Sequence, residues 1–462
     1  MLAALHILAS PGMAPARLIV FERANKVAGG VAFSTPYQSH LLNVPASSMS
    51  AFSEDPEHFA RWLDHQGQTN RRDDFLGRQL YRRYLADTLR ALGHPGTGGD
   101  LLELRQDEVV DIEPAGIGAY VRPARSEPVI ADAVILALGI VPPRLPQGLV
   151  CPGAESHCLG NPWDAAALAA IERSATVTLI GTGLSAVDVL LALRENGHRG
   201  AVHAVSRHGL LPQKHTAGPR PEPGSEGRAQ EVNSPQARGL LHQVRVAVAE
   251  TEAQGGNWRD IVDLLRPRAQ DLWMGLDAVE QARFKRHLER FWSVHRHRMA
   301  PEVGREVEGL SDRGLFHVHS GQVLAVEAPR SQLRVAVKTL PSGQVHHWGS
   351  DWLVNCSGPD PNVFRDDQVL ANSLHSRGLA RPGPLGLGVD TDSAGKVIGA
   401  SGQAAEWLWA MGSLRQGQLY ESTAVPEIRL QAQDIATQVR AKLRDDDHGR
   451  GPLERECLVA NY

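Results

Sequence analysis

The run Val177-Thr-Leu-Ile-Gly181-Thr-Gly183-Leu184-Ser185-Ala186-Val-Asp188 constrains this chain more than any other feature. Four β-prone apolar residues lead into Gly181 and a helix-forming stretch follows, which is the strand, turn, helix order of the G-x-G-x-x-A dinucleotide fingerprint. Gly181 supplies the tight turn, Gly183 lets the backbone approach a pyrophosphate, and Ala186 lets helix pack on strand. Leu184 and Ser185 open a helix whose N-terminus would face the phosphates. The other reading is a purely structural glycine turn. The next strand, residues 201–205, runs into Ser206-Arg207 and not into a carboxylate. NADPH is therefore expected over NADH, with Arg207 on the 2′-phosphate, although an arginine can also stack on adenine.

The start of the chain resembles part of a second such unit. Residues 1–10 read as the back half of an amphipathic helix, and Arg17-Leu-Ile-Val-Phe-Glu22 as the strand after it. Glu22 stands where a dinucleotide unit places the carboxylate for an adenosine ribose hydroxyl, with a solvated strand-end glutamate as the alternative. A secretory apolar core is the other reading of residues 1–10, but the stretch is short and no basic segment precedes it.

An internal repeat organises the rest. Glu108-Val-Val-Asp-Ile-Glu113 leading to Asp132-Ala-Val-Ile-Leu-Ala-Leu-Gly139 is echoed by Gln322-Val-Leu-Ala-Val-Glu327 leading to Asp351-Trp-Leu-Val-Asn-Cys-Ser-Gly358. Each copy predicts a β-meander feeding a buried strand that ends on a glycine turn. Two nucleotide units follow from this, unless the likeness is only that of one meander to another. Residues 215–234 are rich in Pro, Gly and polar side chains and predict a loop. From 235 to about 302 the pattern is helical, with Trp258, Ile261, Leu264 and Leu265 on one face and Phe284, Leu288, Phe291 and Trp292 on another. This insert is expected beside the second nucleotide unit. It ends in His295-Arg-His-Arg298, which helix-dipole and surface solvation explain; His295 and His297, two apart, do not face a common metal, and no metal site is expected. Glu421-Ser422-Thr423-Ala-Val-Pro426-Glu427 predicts a helix start capped by Thr423. A charged, mobile tail is expected from 444 to 462.

Composition removes several classes of function. With 48 Lys+Arg against 52 Asp+Glu and a formal charge of −4, there is no electrostatic reason to invoke nucleic acid or an anionic membrane surface. The longest apolar run, residues 133–141, has nine residues against the roughly 20 of a membrane span. The 4 cysteines form no C-x-x-C or zinc spacing, so a cytoplasmic, reduced protein is expected and a disulfide-reductase mechanism is not.

Several longer strings point to a family. Gly29-Gly30-Val-Ala-Phe-Ser-Thr-Pro, His40-Leu41-Leu-Asn43-Val-Pro-Ala-Ser-Ser-Met49-Ser, Asp55-Pro-Glu-His58-Phe, His295-Arg-His-Arg298-Met and Gly412-Ser-Leu-Arg-Gln-Gly417 through Glu421-Ser-Thr-Ala-Val-Pro-Glu-Ile-Arg429 occur in this order. Together they resemble the bacterial FAD/NAD(P)-binding flavoproteins related to FAD-dependent urate hydroxylase and an aspartate N-monooxygenase, and more distantly to lysine and ornithine N-hydroxylases. The resemblance implies an α/β fold of two Rossmann-like domains with the NAD(P)H domain inserted in the FAD domain. The FAD domain would comprise residues 1–150 and 359–443, and the NAD(P)H domain residues 160–358. It implies FAD held by Glu22, Gly29, Gly30, Leu41, Asn43, Met49, Gly412, Ser422 and Thr423, with His40 and Asn43 positioning substrate or nicotinamide over the ring.

The activity implied is NAD(P)H-dependent monooxygenation of a small polar substrate with O₂, through a C4a-(hydro)peroxyflavin. A flavin reductase or oxidase, and a flavin-free NADP(H)-binding redox sensor, are the alternatives, and the oligomeric state stays open. The relatives carry a strand and G-x-G-x-x-G ahead of the helix at Leu2, and here neither precedes it. A start inside the true reading frame is the preferred explanation; without that strand the sheet would lose its central member and expose its neighbours' edges.

Overall fold

The computed structural model describes all residues except 10–16, 25–26, 94–100, 147–148, 150, 152–154, 217–224, 329–331, 366, 446–455 and 462. In chain order the strands are β1 (Arg17–Glu22), β2 (Leu101–Arg105), β3 (Val109–Ala115), β4 (Gly118–Pro123), β5 (Val129–Ala131) and β6 (Ala133–Ala137). There follow β7 (Cys158–Leu159), β8 (Val177–Ile180), β9 (Val202–Ser206), β10 (Phe316–Glu327), β11 (Leu333–Thr339), β12 (Val345–Ser350) and β13 (Trp352–Asn355). The last are β14 (Lys396–Ile398), β15 (Ala404–Ala410) and β16 (Glu456–Asn461).

They form two large sheets and a meander. The first sheet has the order β14-β15-β6-β16-β1-β2, and the second β12-β11-β10-β9-β8-β13-β7. The chain leaves the first sheet after β6 and returns at β14, so the second sheet is an insertion within the first, as the α/β reading with two Rossmann-like units expects. The sequence repeat becomes a structural one. In the first copy β3-β4-β5 form a separate antiparallel sheet before β6. In the second, β10 pairs with β9 through residues 316–320 and with β11 through residues 321–327, the latter ladder interrupted by a bulge between Val323 and Ala325.

The expected loss of the central strand does not occur. β16 lies between β6 and β1 and is parallel to both, with Val459 opposite Ile135 on one side and Val20 on the other. Of the tail expected to be mobile, residues 456–461 are therefore the middle of a sheet, and the edges of β1 and β6 are covered. The sequence pattern suits the place, because a strand buried on both faces needs apolar residues at every position. Cys457 and Val459 join the core under the helices Leu2–Ala9 and Val425–Asp445, while Leu458 and Ala460 join the core on the meander side. Glu456 starts the strand with a carbonyl accepting from Asp132 N–H (2.8 Å) and a carboxylate meeting Arg17 at 2.5 Å.

The insert is helical as expected, with helices Ala237–Ala253, Trp258–Leu265, Ala269–Met274, Ala278–His287 and Glu289–Arg296. Its core, built on Leu240, Ile261, Leu265, Trp273 and Leu276, also takes in Tyr420. It therefore packs on the returning C-terminal segment, and not only beside the second sheet. Among the described residues, no helix is long and apolar enough to cross a membrane.

Candidate functional site

The fingerprint is built as its sequence dictates. β8 turns at Gly181, where φ is +116° and an added Cβ would lie 2.2 Å from the carbonyl oxygen of Cys356, so only glycine fits between β8 and the end of β13. Gly183 caps the helix Leu184–Glu195 with open space above its Cα. Ser185 lies in the first turn, and Ala186 is fully buried where the helix meets the sheet. Ser206 ends the neighbouring β9, its hydroxyl 2.8 Å from that of Thr182 and accepting from Gly209 N–H at 3.1 Å. Arg207, next in the chain, is exposed. The N–H groups of a helix start, an open glycine turn and a cation at the adjacent strand end lie together, as a dinucleotide phosphate site requires.

The two units are locked together through this same helix. Arg78 meets the Asp188 carboxylate with two hydrogen bonds, at 2.7 and 3.0 Å, and both side chains are mostly buried. Glu195 accepts from Gln38 N–H, Ser39 N–H and Ser39 O–H at 2.9, 2.9 and 2.6 Å. Burial works to raise the Glu195 pKa, but these bonds hold its carboxyl below the usual range. His40 spans the same junction: Nδ1 lies 2.7 Å from Thr35 Oγ1 and Nε2 2.9 Å from the carbonyl oxygen of Asp188. Both of its nitrogens are thus engaged within the protein, and burial lowers its pKa. Arg78, Asp188 and Glu195 were not singled out as site residues from sequence. Their partners lie more than a hundred residues away and carry no local signal.

The first unit presents a second group of features. Glu22 is buried at the end of β1 and accepts from Ala24 N–H at 3.1 Å. Gly30, at φ +48° with nothing near its missing Cβ, opens the short helix Gly30–Phe33 behind its cap Gly29. Leu41 is fixed by its carbonyl, which accepts from Arg78 Nε at 2.9 Å, and Met49 is buried in the core. The half-buried Asn43 uses its carbonyl to accept from His215 Nε2 at 3.0 Å, and its side-chain amide has no partner among the described residues. Gly412, at φ +68°, gives its N–H to Gln431 Oε1 (2.9 Å) and faces open space. The helix after it begins at Val425, so Ala424, whose carbonyl accepts from Ile428 N–H, takes the cap position expected for Thr423. Ser422 Oγ and Gln431 Nε2 are buried without a hydrogen-bond partner. Orphaned donors beside a helix start fit a group rich in acceptors, and the flavin pyrimidine edge is one.

A buried ionic cluster joins the insert to this helix start. Arg296 lies within 3.4 Å of Glu421 and 3.3 Å of Glu427, and Arg266 holds Glu427 at 2.8 Å. Glu421 also accepts from Trp292 Nε1 at 2.9 Å, and Arg298 pairs with Asp263. Arg296 and Arg298 are 5% and 3% exposed, so the surface-solvation reading of the His295 to Arg298 run is corrected: its two arginines point inward to carboxylates supplied elsewhere. Burial opposes the charge on Glu421, yet Arg296 and His297 hold its carboxyl below the usual range.

Comparison with known proteins agrees with this architecture. No curated protein matches the chain. The ornithine N-hydroxylase of Kutzneria sp. 744 superposes with a TM-score of 0.65 over 96% of both chains at 16% identity. L-Lysine 6-monooxygenase from Pseudomonas syringae gives 0.59 at 16% identity, over 93% of this chain and 100% of the other. Thioredoxin reductase from Lactococcus lactis gives 0.51 at 13% identity, over 96% of this chain and 95% of the other. At such identities the likeness is one of fold. Residues 1–141 match the model of a family described as FAD-NAD(P)-binding, a stretch that covers the N-terminal part of the first unit from helix Leu2–Ala9 through β6, with Glu22 and the Gly29-Gly30 turn.

Proposed function

We propose that the chain is an NADPH-dependent flavin monooxygenase that hydroxylates a nitrogen of a small polar substrate. The observation that carries this reading is the hydrogen-bonded junction of two dinucleotide-type units, with the Asn43 amide left unpartnered beside it among the described residues. NADP would lie on Gly181, Gly183, Leu184, Ser185, Ala186, Ser206 and Arg207. FAD would lie on Glu22, Gly29, Gly30, Leu41, Asn43, Met49, Gly412, Ser422 and Thr423. When bound, FAD supplies hydride acceptance and oxygen activation. The protein's own residues hold the two units at a fixed distance through Arg78, His40 and Glu195, and orient the substrate with Asn43. The helix start at Val425 offsets negative charge at the pyrimidine edge. The reaction consumes the amine, NADPH, H⁺ and O₂, and yields the hydroxylamine, NADP⁺ and water.

Two further observations bear on the class. Disulfide reductases share the fold, but this chain has no C-x-x-C, and burial raises the Cys356 thiol pKa far above the thiolate range at neutral pH. The solved structures with the higher TM-scores include an ornithine N-hydroxylase and an L-lysine 6-monooxygenase, whose named substrates are amines, which favours amine nitrogen over the ring carbon of a urate-like substrate. The test is oxygen consumption and hydrogen peroxide release with NADPH across a panel of primary amines and purines. An amine that suppresses peroxide while forming a hydroxylamine supports the proposal. Peroxide released at one equivalent per NADPH with every compound turns the reading to an oxidase.

A further inference from the structure

We propose that Arg290, from the helical insert, completes the pocket for the nucleotide's 2′-phosphate with Arg207 and His208, so that the insert shares in selecting NADPH over NADH. This rests on the NADPH reading above and adds a residue to it that lies outside the fingerprint unit.

The turn after β9 is fixed by Gly209 N–H bonding to Ser206 at 3.2 Å (carbonyl) and 3.1 Å (hydroxyl), and by Ser320 Oγ donating to the Arg207 carbonyl at 3.2 Å. Helix Glu289–Arg296 lies against it, with the Phe291 ring edge-on to His208 at 5.7 Å and 79°. Arg290 is the residue before Phe291 and is half-buried. Neither its guanidinium nor that of the exposed Arg207 has a hydrogen bond or ion pair among the described residues, and the adjacent Glu289 carboxylate is taken by Lys285. Burial and the neighbouring Arg207 lower the Arg290 pKa, and burial, Arg290 and Arg207 lower that of His208. Two cations and an imidazole therefore converge where the only opposing charge acting on Arg290 is Glu289, itself paired with Lys285, an arrangement that self-repulsion disfavours until an anion arrives. The place is the end of the strand after the fingerprint helix, where a dinucleotide's adenosine ribose lies. A phosphate monoester there, carrying about −1.5 to −2 charge at neutral pH, answers both guanidiniums at once.

The test is calorimetric titration of the full chain and of Arg290→Gln with adenosine 2′,5′-bisphosphate and with adenosine 5′-monophosphate. The wild type should prefer the bisphosphate. In Arg290→Gln, bisphosphate affinity should fall about tenfold with monophosphate affinity unchanged. Thermal melting keeps the result interpretable: the unliganded variant should melt no lower than the wild type, because the change removes a repulsion and breaks no ion pair. If Arg290→Gln keeps the wild-type preference, the proposal fails while the NADPH reading stands. A wild type that binds both probes equally well overturns both.

Discussion

Replacing Arg78 by alanine leaves the Asp188 carboxylate, 14% exposed, without its bidentate partner at the junction of the two units. Stranding a mostly buried charge costs on the order of 3 kcal/mol, measurable as a lower denaturation midpoint. Arg78→Lys should recover less than half of this, since an ammonium cannot match the carboxylate with two parallel bonds. Histidines set the acid limit. The pKa of His203 is lowered to about 4 by burial and by the neighbouring His319 and His317, and that of His215 to about 4 by burial and by Arg298. Both values lie below the unfolded 6.5, so the unfolded chain takes up protons first. Their contribution to stability is complete above pH 6.5 and is lost as pH falls towards 4. His203→Gln should flatten the stability profile across that window while leaving the neutral-pH midpoint nearly unchanged; a profile as steep as the wild type's contradicts the assignment. The roles of Arg296 and Arg298 were not legible in sequence, because a basic run reads as solvated until Glu421, Glu427 and Asp263 are brought to it in space.

At the scale of elements, β16 makes the firmest prediction. Leu458 is fully buried in the middle of the first sheet, so Leu458→Ala should cost about 3 kcal/mol, and removal of residues 456–461 should abolish cooperative unfolding of that sheet. Unchanged melting of the shortened chain would contradict the placement of β16. The fingerprint and the two meanders were legible because each is a local pattern: period, turn glycine and strand length lie within about 30 residues. β16 was not, since four apolar residues after a charged stretch carry no periodicity, and its partners β1 and β6 lie more than 300 residues away in the chain. Gly181→Ala offers a separate test of the second unit. Its Cβ would meet the Cys356 carbonyl at 2.2 Å, so NADPH affinity should fall at least tenfold while flavin content is kept. Loss of flavin with NADPH binding intact would reverse the assignment of the two units.

For the molecule as a whole, the second sheet interrupts the first and the insert leans on the C-terminal return, with Arg266, Arg296 and Trp292 gripping Glu421 and Glu427 at the start of helix Val425–Asp445. The internal repeat led to two units and the family resemblance implied one inside the other, but neither showed the insert's second contact, because that contact is made by residues with no common period. The proposed function has both units loaded and communicating across the Arg78, His40 and Glu195 junction. Its most direct test is the visible spectrum of the purified, FAD-reconstituted chain during an anaerobic NADPH titration. The expected result is a flavin band that bleaches at one equivalent of NADPH and returns when air is admitted. A folded chain that takes up no flavin, or a flavin band that NADPH leaves unchanged, would contradict it.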